Sequence, residues 1–253
     1  MNEREMSETV LVTGGAGDIG RAIASRLAQG GAHVAIWDLV SQVSIDQVVD
    51  TLPKNGGKSI GISCDITDVP QVQAALIQTR KILGPVTVLV NSAGLGQYAC
   101  FLDVSPEQWQ KIVDTNLVGP ANTIRAVIPD MLHNGHGVIV NICSIWSTRA
   151  GPMRSAYIAS KWGLLGLTRA LSEEYRDQGI RFVAISPGPV LTNMTKSFVS
   201  DSSSSNWMRP EDVAQVVEYV VSAKGRNFVG SELEMFGWGQ PAGEKHTDRS
   251  AGD

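Results

Sequence analysis

Short runs rich in Val, Ile and Leu alternate along this chain with longer segments whose apolar residues recur at helical spacing. This alternation predicts βαβ units and a parallel sheet covered by helices on both faces. We expect strands at Thr9–Thr13, His33–Trp37, Lys58–Ser63, Val86–Asn91, Gly137–Ile142, Arg181–Ile185 and Glu232–Phe236. We expect helices over Ile19–Gln29, Val43–Thr51, Val69–Ile82, Pro106–Leu132, Ser155–Gln178 and Pro210–Val221.

The alternation runs without a composition break or a long linker, and 253 residues suffice for one large core. We therefore expect one domain over residues 9–241 that carries both cofactor and substrate sites. Residues 1–8 and the polar residues 242–253 are expected to be flexible ends. The serine-rich stretch Ser200–Asn206 predicts a mobile loop.

Composition excludes several function classes. A formal net charge of -4 without a cluster of Lys and Arg disfavours nucleic acid as a partner. No window approaches the roughly 20 consecutive apolar residues of a membrane span, and the start is unlike a signal peptide. Cys64, Cys100 and Cys143 are widely spaced in apolar contexts, which favours buried reduced thiols. We expect a cytoplasmic protein that does not insert into membranes.

A glycine-rich loop follows the first expected strand and opens the first helix. Glycines there permit a tight turn, close approach of backbone N–H groups to a pyrophosphate, and close packing of helix on strand. The helix N-terminus adds a partial positive charge. Such turns also occur for packing alone, but this context predicts a dinucleotide phosphate site at Gly14, Gly15, Gly17, Asp18, Ile19 and Gly20.

Asp38 ends the second expected strand, near the roughly 20-residue offset at which a carboxylate meets a ribose hydroxyl. A carboxylate there accepts hydrogen bonds from the ribose diol and repels a 2′-phosphate. Asp18 adds a second negative charge within the loop. We therefore predict NAD as the cofactor, with NADP less favoured because only Arg21, one turn along, offsets these charges.

A phenol and an ammonium lie four residues apart at Tyr157 and Lys161, on one face of the helix expected from Ser155. The cation stabilises a phenolate, which makes the tyrosine a competent proton donor and acceptor. Ser144 follows the fifth expected strand, at the carboxyl edge where parallel sheets present residues to ligands. These three side chains are predicted to form a catalytic group.

The order and spacing of several motifs resemble those of the classical short-chain dehydrogenase/reductase family, from Val10 to about Gly239. The matching segments are Thr13–Gly20, Cys64–Ile66, Asn91–Gly94, Asn116, Ser144, Tyr157–Lys161 and Pro187–Thr192. Ser92 stands where the family more commonly has a second asparagine. The resemblance implies an α/β fold, a single-domain Rossmann-type doubly wound parallel sheet of about seven strands with helices on both faces.

The resemblance also implies roles for individual residues. Tyr157 would be the general acid/base, Ser144 would hold the substrate oxygen, and Lys161 would bind the nicotinamide ribose. Asn116 would hold a water that links the lysine to solvent. The further cofactor-binding positions implied in this way are Asp65, Ile66, Asn91, Ala93, Gly94, Pro187, Gly188, Val190 and Thr192.

The function expected is that of an NAD(H)-dependent oxidoreductase that interconverts a secondary alcohol and a ketone. The alternative is a regulator or scaffold that keeps the dinucleotide-binding fold without catalysis. The complete set of four catalytic residues favours the enzyme. A homotetramer or homodimer is expected, because the long apolar helices Pro106–Leu132 and Ser155–Gln178 form the dimer interface in the resembling family.

Fewer motifs point to the residues that bind the substrate than to those that bind the cofactor. Candidate substrate residues around the catalytic pair are Gln97, Ser144, Trp146, Arg149, Arg154 and Met194. Two arginines in this set suggest a substrate with an anionic group, of the 3-oxoacyl, hydroxy-acid or sugar-acid type, although solvated arginines are the alternative. The segment Asn193–Arg209 is short and serine-rich, which suggests an open active site. His133 and His136 lack an accompanying acid or thiol cluster, so no metal is expected.

Overall fold

The computed structural model of the protein describes residues 8–196 and 207–237. The expected mobile loop Ser200–Asn206, residues 1–7 of the N-terminus and the tail 242–253 lie outside the described residues. The strands are β1 (Thr9–Thr13), β2 (His33–Asp38), β3 (Ser59–Ser63), β4 (Val88–Asn91), β5 (Gly137–Ile142), β6 (Ile180–Pro187) and β7 (Glu232–Met235).

These strands form one parallel sheet in the order β3-β2-β1-β4-β5-β6-β7. The order reverses direction at β1, which pairs with β2 on one side and β4 on the other. Thr13 at the end of β1 is in register with Trp37 and with Asn91. Ligands of open α/β sheets bind in the crevice outside the carboxyl ends at such a reversal. The doubly wound fold predicted from the sequence is confirmed.

Eight α-helices are described: α1 (Asp18–Gln29), α2 (Gln42–Thr51), α3 (Val69–Leu83), α4 (Pro106–Val113), α5 (Gly119–Asn134), α6 (Ser155–Glu174), α7 (Asn193–Lys196) and α8 (Pro210–Val221). The start of α4 shows why its boundary is readable from sequence. The hydroxyl of Ser105 accepts from the Gln108 backbone N–H, and the Gln108 side chain accepts from the Ser105 N–H. This capping box satisfies two donors that the first turn leaves free.

The core has two layers, one on each face of the sheet. Successive residues of a strand point to opposite faces, so Val10 and Val12 join one layer and Leu11 the other. The first layer includes the apolar sides of α1 and α8, and the second those of α3 and α5. Both faces are therefore covered, and the carboxyl edge is the part of the sheet that remains for ligands.

The helix expected over Pro106–Leu132 is interrupted. A π-helical turn, Asp114–Val118, separates α4 from α5. Pro120 explains the break, because it has no N–H to donate to the carbonyl of Asn116 and its ring would press against that carbonyl. A π turn absorbs this mismatch, and such turns are frequent at functional sites. Here it carries Asn116.

Asn91, a cofactor-binding position that the resemblance implies, has its side chain inside the protein. Its side chain is buried between β4 and β5, where its amide donates to the Asn141 carbonyl oxygen at 2.8 Å. Its own oxygen accepts from the Thr123 hydroxyl at 2.7 Å, and the Asn141 amide donates to Thr168 at 2.8 Å. Both ends of the Asn91 side chain are thus used inside the protein. The side chain connects α5 and α6 through the sheet.

Candidate active site

The glycine loop is pressed against the turn that follows β4. Gly14 has a φ of 64°, and a Cβ built on it would lie 2.6 Å from the Cα of Ala93. A Cβ on Gly20 would collide with the carbonyl oxygen of Gly14. Gly17 precedes α1 and provides no side-chain cap for its first turn. The loop therefore leaves backbone donors at the α1 N-terminus for a pyrophosphate to satisfy, at the reversal point of the sheet.

Asp38 lies beside this loop. Its Oδ2 accepts from the backbone N–H of Ala16 at 3.0 Å, and its Oδ1 accepts from that of Val40 at 3.3 Å. The residues that follow are Leu39 and Val40, and the Leu39 side chain is 67% exposed. The carboxylate is thus fixed at the end of β2, followed by apolar side chains and no cation.

Asp18 has a contact that sequence reasoning missed. Its Oδ2 accepts from the backbone N–H of Asn193 at 2.6 Å, and its Oδ1 from the Asn193 amide at 3.3 Å. Asn193 begins α7. The carboxylate therefore links the first turn of α1 to the segment that follows Thr192, in addition to the negative charge predicted for it.

A cleft of about 600 Å³ lies between the end of β3 and the start of α4. Asp65 and Thr67 line it, and Asp65 Oδ1 accepts from the Thr67 N–H and hydroxyl at 2.8 and 2.7 Å. Ile66 is buried, and a Cβ on Gly119 would lie 2.6 Å from its side chain. Asp65 thus lines the cleft, whereas the Ile66 side chain packs into the core.

A smaller pocket of about 120 Å³ lies beside the glycine loop. Of the predicted residues, it brings together Ile19, Gly94, Ser144, Tyr157, Lys161, Pro187, Gly188, Val190, Thr192 and Met194. The lining residues that sequence reasoning missed are Ser92, Ile142, Cys143 and Thr195. Each of these residues adjoins a predicted residue or lies within three positions of one. Their closeness to the motifs at the ends of β4, β5 and β6 could therefore have identified them. Gly94 lines this pocket as well.

Lys161 is held at the base of this pocket. Its side chain is nearly buried, its Nζ donates to the Ile142 carbonyl at 2.8 Å, and its Nζ lies 5.8 Å from the centroid of the Tyr157 ring. A Cβ on Gly94 would lie 3.7 Å from Nζ and 3.4 Å from Asn116 Oδ1. Gly94 therefore lies in ordinary contact distance of both the ammonium and the amide.

Asn116 joins the loop after β4 to α6. Its Oδ1 accepts from the Leu95 N–H at 2.7 Å, and its Nδ2 donates to the Leu95 carbonyl and the Ser160 hydroxyl, both at 3.0 Å. The Ser160 hydroxyl donates in turn to the Tyr157 carbonyl at 2.7 Å. The asparagine in the π turn thus fixes the backbone of the catalytic helix.

Ser144 follows β5 in an extended conformation. Its Oγ accepts from the Trp146 N–H at 3.2 Å, and its own N–H donates to the Ser147 hydroxyl at 3.2 Å. Burial raises the pKa of the adjacent Cys143 thiol to about 11, so the thiol is neutral near pH 7 and does not compete as a nucleophile. Burial likewise raises the pKa of Cys64 to about 12. Cys100 is exposed, so the expectation of three buried thiols was wrong there.

Gln97, a candidate substrate residue, lies at the N-terminus of α6. Its Oε1 accepts from the backbone N–H groups of Ala156 at 2.8 Å and Tyr157 at 3.3 Å. Its Nε2 donates to the Ala99 carbonyl at 3.3 Å. Arg154, at the N-cap position, makes no side-chain cap hydrogen bond. Gln97 therefore supplies from another loop the cap that α6 lacks, and so orients Tyr157.

Replacing Gln97 with Leu is expected to lower kcat about tenfold and the free energy of unfolding by about 1 kcal/mol, because two first-turn donors lose their acceptor. Gln97→Glu keeps an acceptor oxygen at a helix N-terminus and should restore most of kcat. Steady-state kinetics and urea denaturation measure the two effects. If Gln97→Glu is as slow as Gln97→Leu, the capping role is wrong.

The two candidate substrate arginines have different environments. Arg149 Nη2 forms an ion pair with Glu234 Oε2 at 2.8 Å, and its guanidinium lies over the Phe236 ring at 4.9 Å. Arg154 lies over the rings of both Tyr98 and Trp146, with its Cζ 4.8 and 5.1 Å from their centroids. Arg149 is thus held against β7, whereas Arg154 stands between two aromatic rings near the catalytic helix.

Over residues 8–196 and 207–237, no group of three or more His, Cys, Asp or Glu side chains is close enough to hold a metal ion. None of the helices within those ranges is long and apolar enough to cross a bilayer.

Comparison with known proteins shows the family of the chain. The model of the short chain dehydrogenase family matches residues 8–203. A 3-oxoacyl-[acyl-carrier-protein] reductase from Chlamydia muridarum is 32% identical over 94% of this chain and 99% of its own. The corresponding Staphylococcus aureus enzyme is 29% identical over 92% of this chain and 98% of its own.

Solved structures give the same result. A variant of actinorhodin polyketide ketoreductase with NADPH superposes with a TM-score of 0.86 at 30% identity, covering 91% of this chain and 96% of the other. The 3-ketoacyl-(acyl-carrier-protein) reductase from Brucella melitensis, complexed with NADH, gives 0.85 at 27% identity, covering 91% and 97%. With its glycine loop, its Ser144–Tyr157–Lys161 pocket and these relatives, the chain belongs to the short-chain dehydrogenase family of nicotinamide-dependent oxidoreductases.

Proposed function

We propose that the protein interconverts a secondary alcohol and a ketone with NAD(H), with Tyr157 as general acid/base. The observation that carries this proposal is the pocket in which Ser144, Tyr157 and Lys161 meet beside the glycine loop. The alternative of a binding protein without catalysis has weaker support, because such a protein has no need for a phenol, a hydroxyl and an ammonium around one pocket.

The residues around the glycine loop fit a dinucleotide. Uncapped donors at the α1 N-terminus suit its pyrophosphate, Asp38 suits a ribose diol and Asp65 an adenine amino group. Bound NAD(H) would supply the hydride chemistry at its nicotinamide ring. Gly188, Val190 and Thr192 line the pocket near which that ring would lie.

The side chains of the protein transfer the proton, whereas the cofactor would transfer the hydride. In the reductive direction the Tyr157 hydroxyl donates its proton to the carbonyl oxygen as negative charge develops there, and in the oxidative direction the phenolate accepts it. The Ser144 hydroxyl donates a hydrogen bond to the same oxygen. The Lys161 ammonium, held by Ile142, stabilises the phenolate. Asn116 holds the helix that carries the tyrosine and the lysine in position.

We favour NAD over NADP for this chain. NADPH accompanies one similar structure and NADH another, so the preference must come from the residues of this chain itself. The Asp38 carboxylate repels a 2′-phosphate, and Leu39 and Val40 after it provide no cation to offset that repulsion.

The substrate class follows from the relatives and from the pocket. The similar proteins named above reduce, by their names, 3-oxoacyl and polyketide carbonyls. We propose a ketone of the 3-oxoacyl or oxo-acid type, in which the carbonyl reaches Ser144 and Tyr157 and an acidic or acyl group extends toward the loop that carries Trp146.

The experiment is a coenzyme absorbance assay with a panel of ketones and secondary alcohols, each with NAD(H) and NADP(H). Turnover of at least one pair, faster with NAD(H), is the expected result. A protein that binds NADH in a calorimetric titration but turns over none of the panel would favour the alternative without catalysis.

We further propose one catalytic domain over residues 9–241, assembled as a homotetramer or homodimer in the cytoplasm. Helices α5 and α6 and the π turn support the assembly, because Val118 and Trp162 expose 39% and 50% of their surface there. Sedimentation equilibrium should give a mass of two or four chains, and a stable monomer would contradict it.

A further inference from the structure

The arrangement of Arg154 between two aromatic rings points to a specific role for that residue. We propose that Arg154 binds the carboxylate of the substrate and so selects oxo acids and hydroxy acids over uncharged ketones. This inference rests on the proposed ketone reductase activity and specifies the substrate class of the same site.

Arg154, like Arg21, Arg125, Arg181, Arg209 and Arg226, is not among the arginines of the described residues that form an ion pair. Within the described part of the chain, ion pairs engage Arg26, Arg80, Arg149, Arg169 and Arg176 with carboxylates of the protein. No such pair is described for Arg154, whose Nη1 donates to the Pro152 carbonyl at 3.3 Å. A guanidinium has five N–H donors in a rigid fork, so most of its hydrogen-bonding capacity is available to a ligand.

Two aromatic rings contact the guanidinium of Arg154. Tyr98 and Trp146 lie within about 6 Å of the guanidinium carbon, the range of cation–π contact. A guanidinium that stacks on an aromatic ring keeps N–H donors for a ligand. A planar carboxylate pairs with the N–H edge of a guanidinium through two parallel hydrogen bonds. Stacking also restrains a flexible side chain before the ligand arrives, which lowers the entropy cost of binding.

Each neighbour of Arg154 is connected to a catalytic residue. Trp146 donates its backbone N–H to the Ser144 hydroxyl. Tyr98 follows Gln97, which accepts from the Tyr157 N–H. Arg154 itself precedes Tyr157 by three residues. A guanidinium held by these elements is therefore fixed relative to the hydroxyl and phenol that would receive the carbonyl.

The position of Arg154 is electrostatically unusual. It is the N-cap residue of α6, a helix of 20 residues, where the helix dipole disfavours a positive charge. An anion at this point interacts favourably with both the guanidinium and the helix N-terminus. The placement is thus unfavourable for the folded protein alone and favourable once a carboxylate binds.

The test compares oxo acids with their methyl esters, in a series with the ketone at the second, third, fourth or fifth carbon from the carboxyl group. Wild type should prefer the acid at one or two of these lengths. Arg154→Ala should lower kcat/KM for those acids about ten- to hundredfold, mainly through KM, and change the esters by less than about twofold. Arg154→Lys keeps a charge without the fork and should recover only part of the loss.

Arg149→Ala is the matched control, since Arg149 is paired with Glu234. It should leave the ratio of acid to ester unchanged. If wild type treats acids and esters alike at every length, or if Arg154→Ala slows both equally, the inference is wrong. If Arg149→Ala and not Arg154→Ala abolishes the acid preference, it is also wrong.

A binding measurement separates this inference from the proposed function. Calorimetric titration of the corresponding hydroxy acids into enzyme saturated with NADH reports affinity without hydride transfer. The acids should bind wild type at least about tenfold more tightly than Arg154→Ala. Equal affinity would overturn the carboxylate site, whereas a lack of turnover with all ketones, esters included, would overturn the reductase activity.

Discussion

Replacing Tyr157 with Phe is expected to lower kcat by about 100- to 10,000-fold, the range that positioned proton transfer contributes to a rate. The ring and its packing remain, and only the hydroxyl that carries the proton is lost. Without it, negative charge on the substrate oxygen has no proton donor and relies on the Ser144 hydrogen bond alone. Steady-state turnover with the best ketone from the panel measures the effect.

The affinity for NADH should stay within about twofold of wild type, because the loop, Asp38 and Lys161 are unchanged. Fluorescence titration of NADH checks this. Tyr175→Phe is the matched control, since Tyr175 lies at the other end of α6 and packs against Phe182. It should keep nearly full activity. A Tyr157→Phe enzyme with a large share of wild-type activity would contradict the assignment of the general acid.

Replacing Asp38 with Ala is expected to lower kcat/KM for NAD about 10- to 100-fold and to raise that for NADP, because the variant loses charged hydrogen bonds to the ribose and the repulsion of a 2′-phosphate. The ratio of kcat/KM for the two coenzymes should therefore shift by more than either value alone. Competition between NAD and NADP in one assay measures it.

Asp38→Asn separates two causes of that effect. The amide keeps an oxygen for the Ala16 N–H but removes the charge. It should shift the coenzyme ratio while leaving the stability of the glycine loop nearer to wild type than Asp38→Ala does. A wild-type enzyme that uses NADP as well as NAD, or an unchanged ratio in both variants, would show that Asp38 does not select the cofactor.

The sequence predicted the order of secondary structure largely because the five strands β1, β2, β4, β5 and β6 bury continuous apolar runs. The sequence-based prediction failed where the apolar pattern is the same with and without a local distortion of the helix. Apolar periodicity continues through Asp114–Val118, so the π turn that Pro120 causes was not expected. The end of α6 was also placed too late, at Gln178, because Arg176–Gln178 forms a single 3₁₀ turn after Glu174.

The pocket residues were predictable because each belongs to a short motif at the end of a strand. The supporting contacts were not, since they join distant positions. Gln97 meets Ala156 across 59 residues, Asp18 meets Asn193 across 175, and Arg149 meets Glu234 across 85. A single sequence contains no sign of such pairs. Asn91 and its partner Asn141 likewise lie on different strands.

The ion pair between Arg149 and Glu234 has a consequence for the order in which the molecule is made. Glu234 lies in β7, the last strand among the described residues, whereas Arg149 follows Ser144 in the middle of the chain. The dinucleotide half of the sheet can assemble during synthesis. The loop between Ser144 and Tyr157 gains its partner only when β7 has paired with β6. In a nascent chain that stops before β7, the loop between Ser144 and Tyr157 therefore lacks the ion pair with Glu234, although the first strands of the sheet are already present.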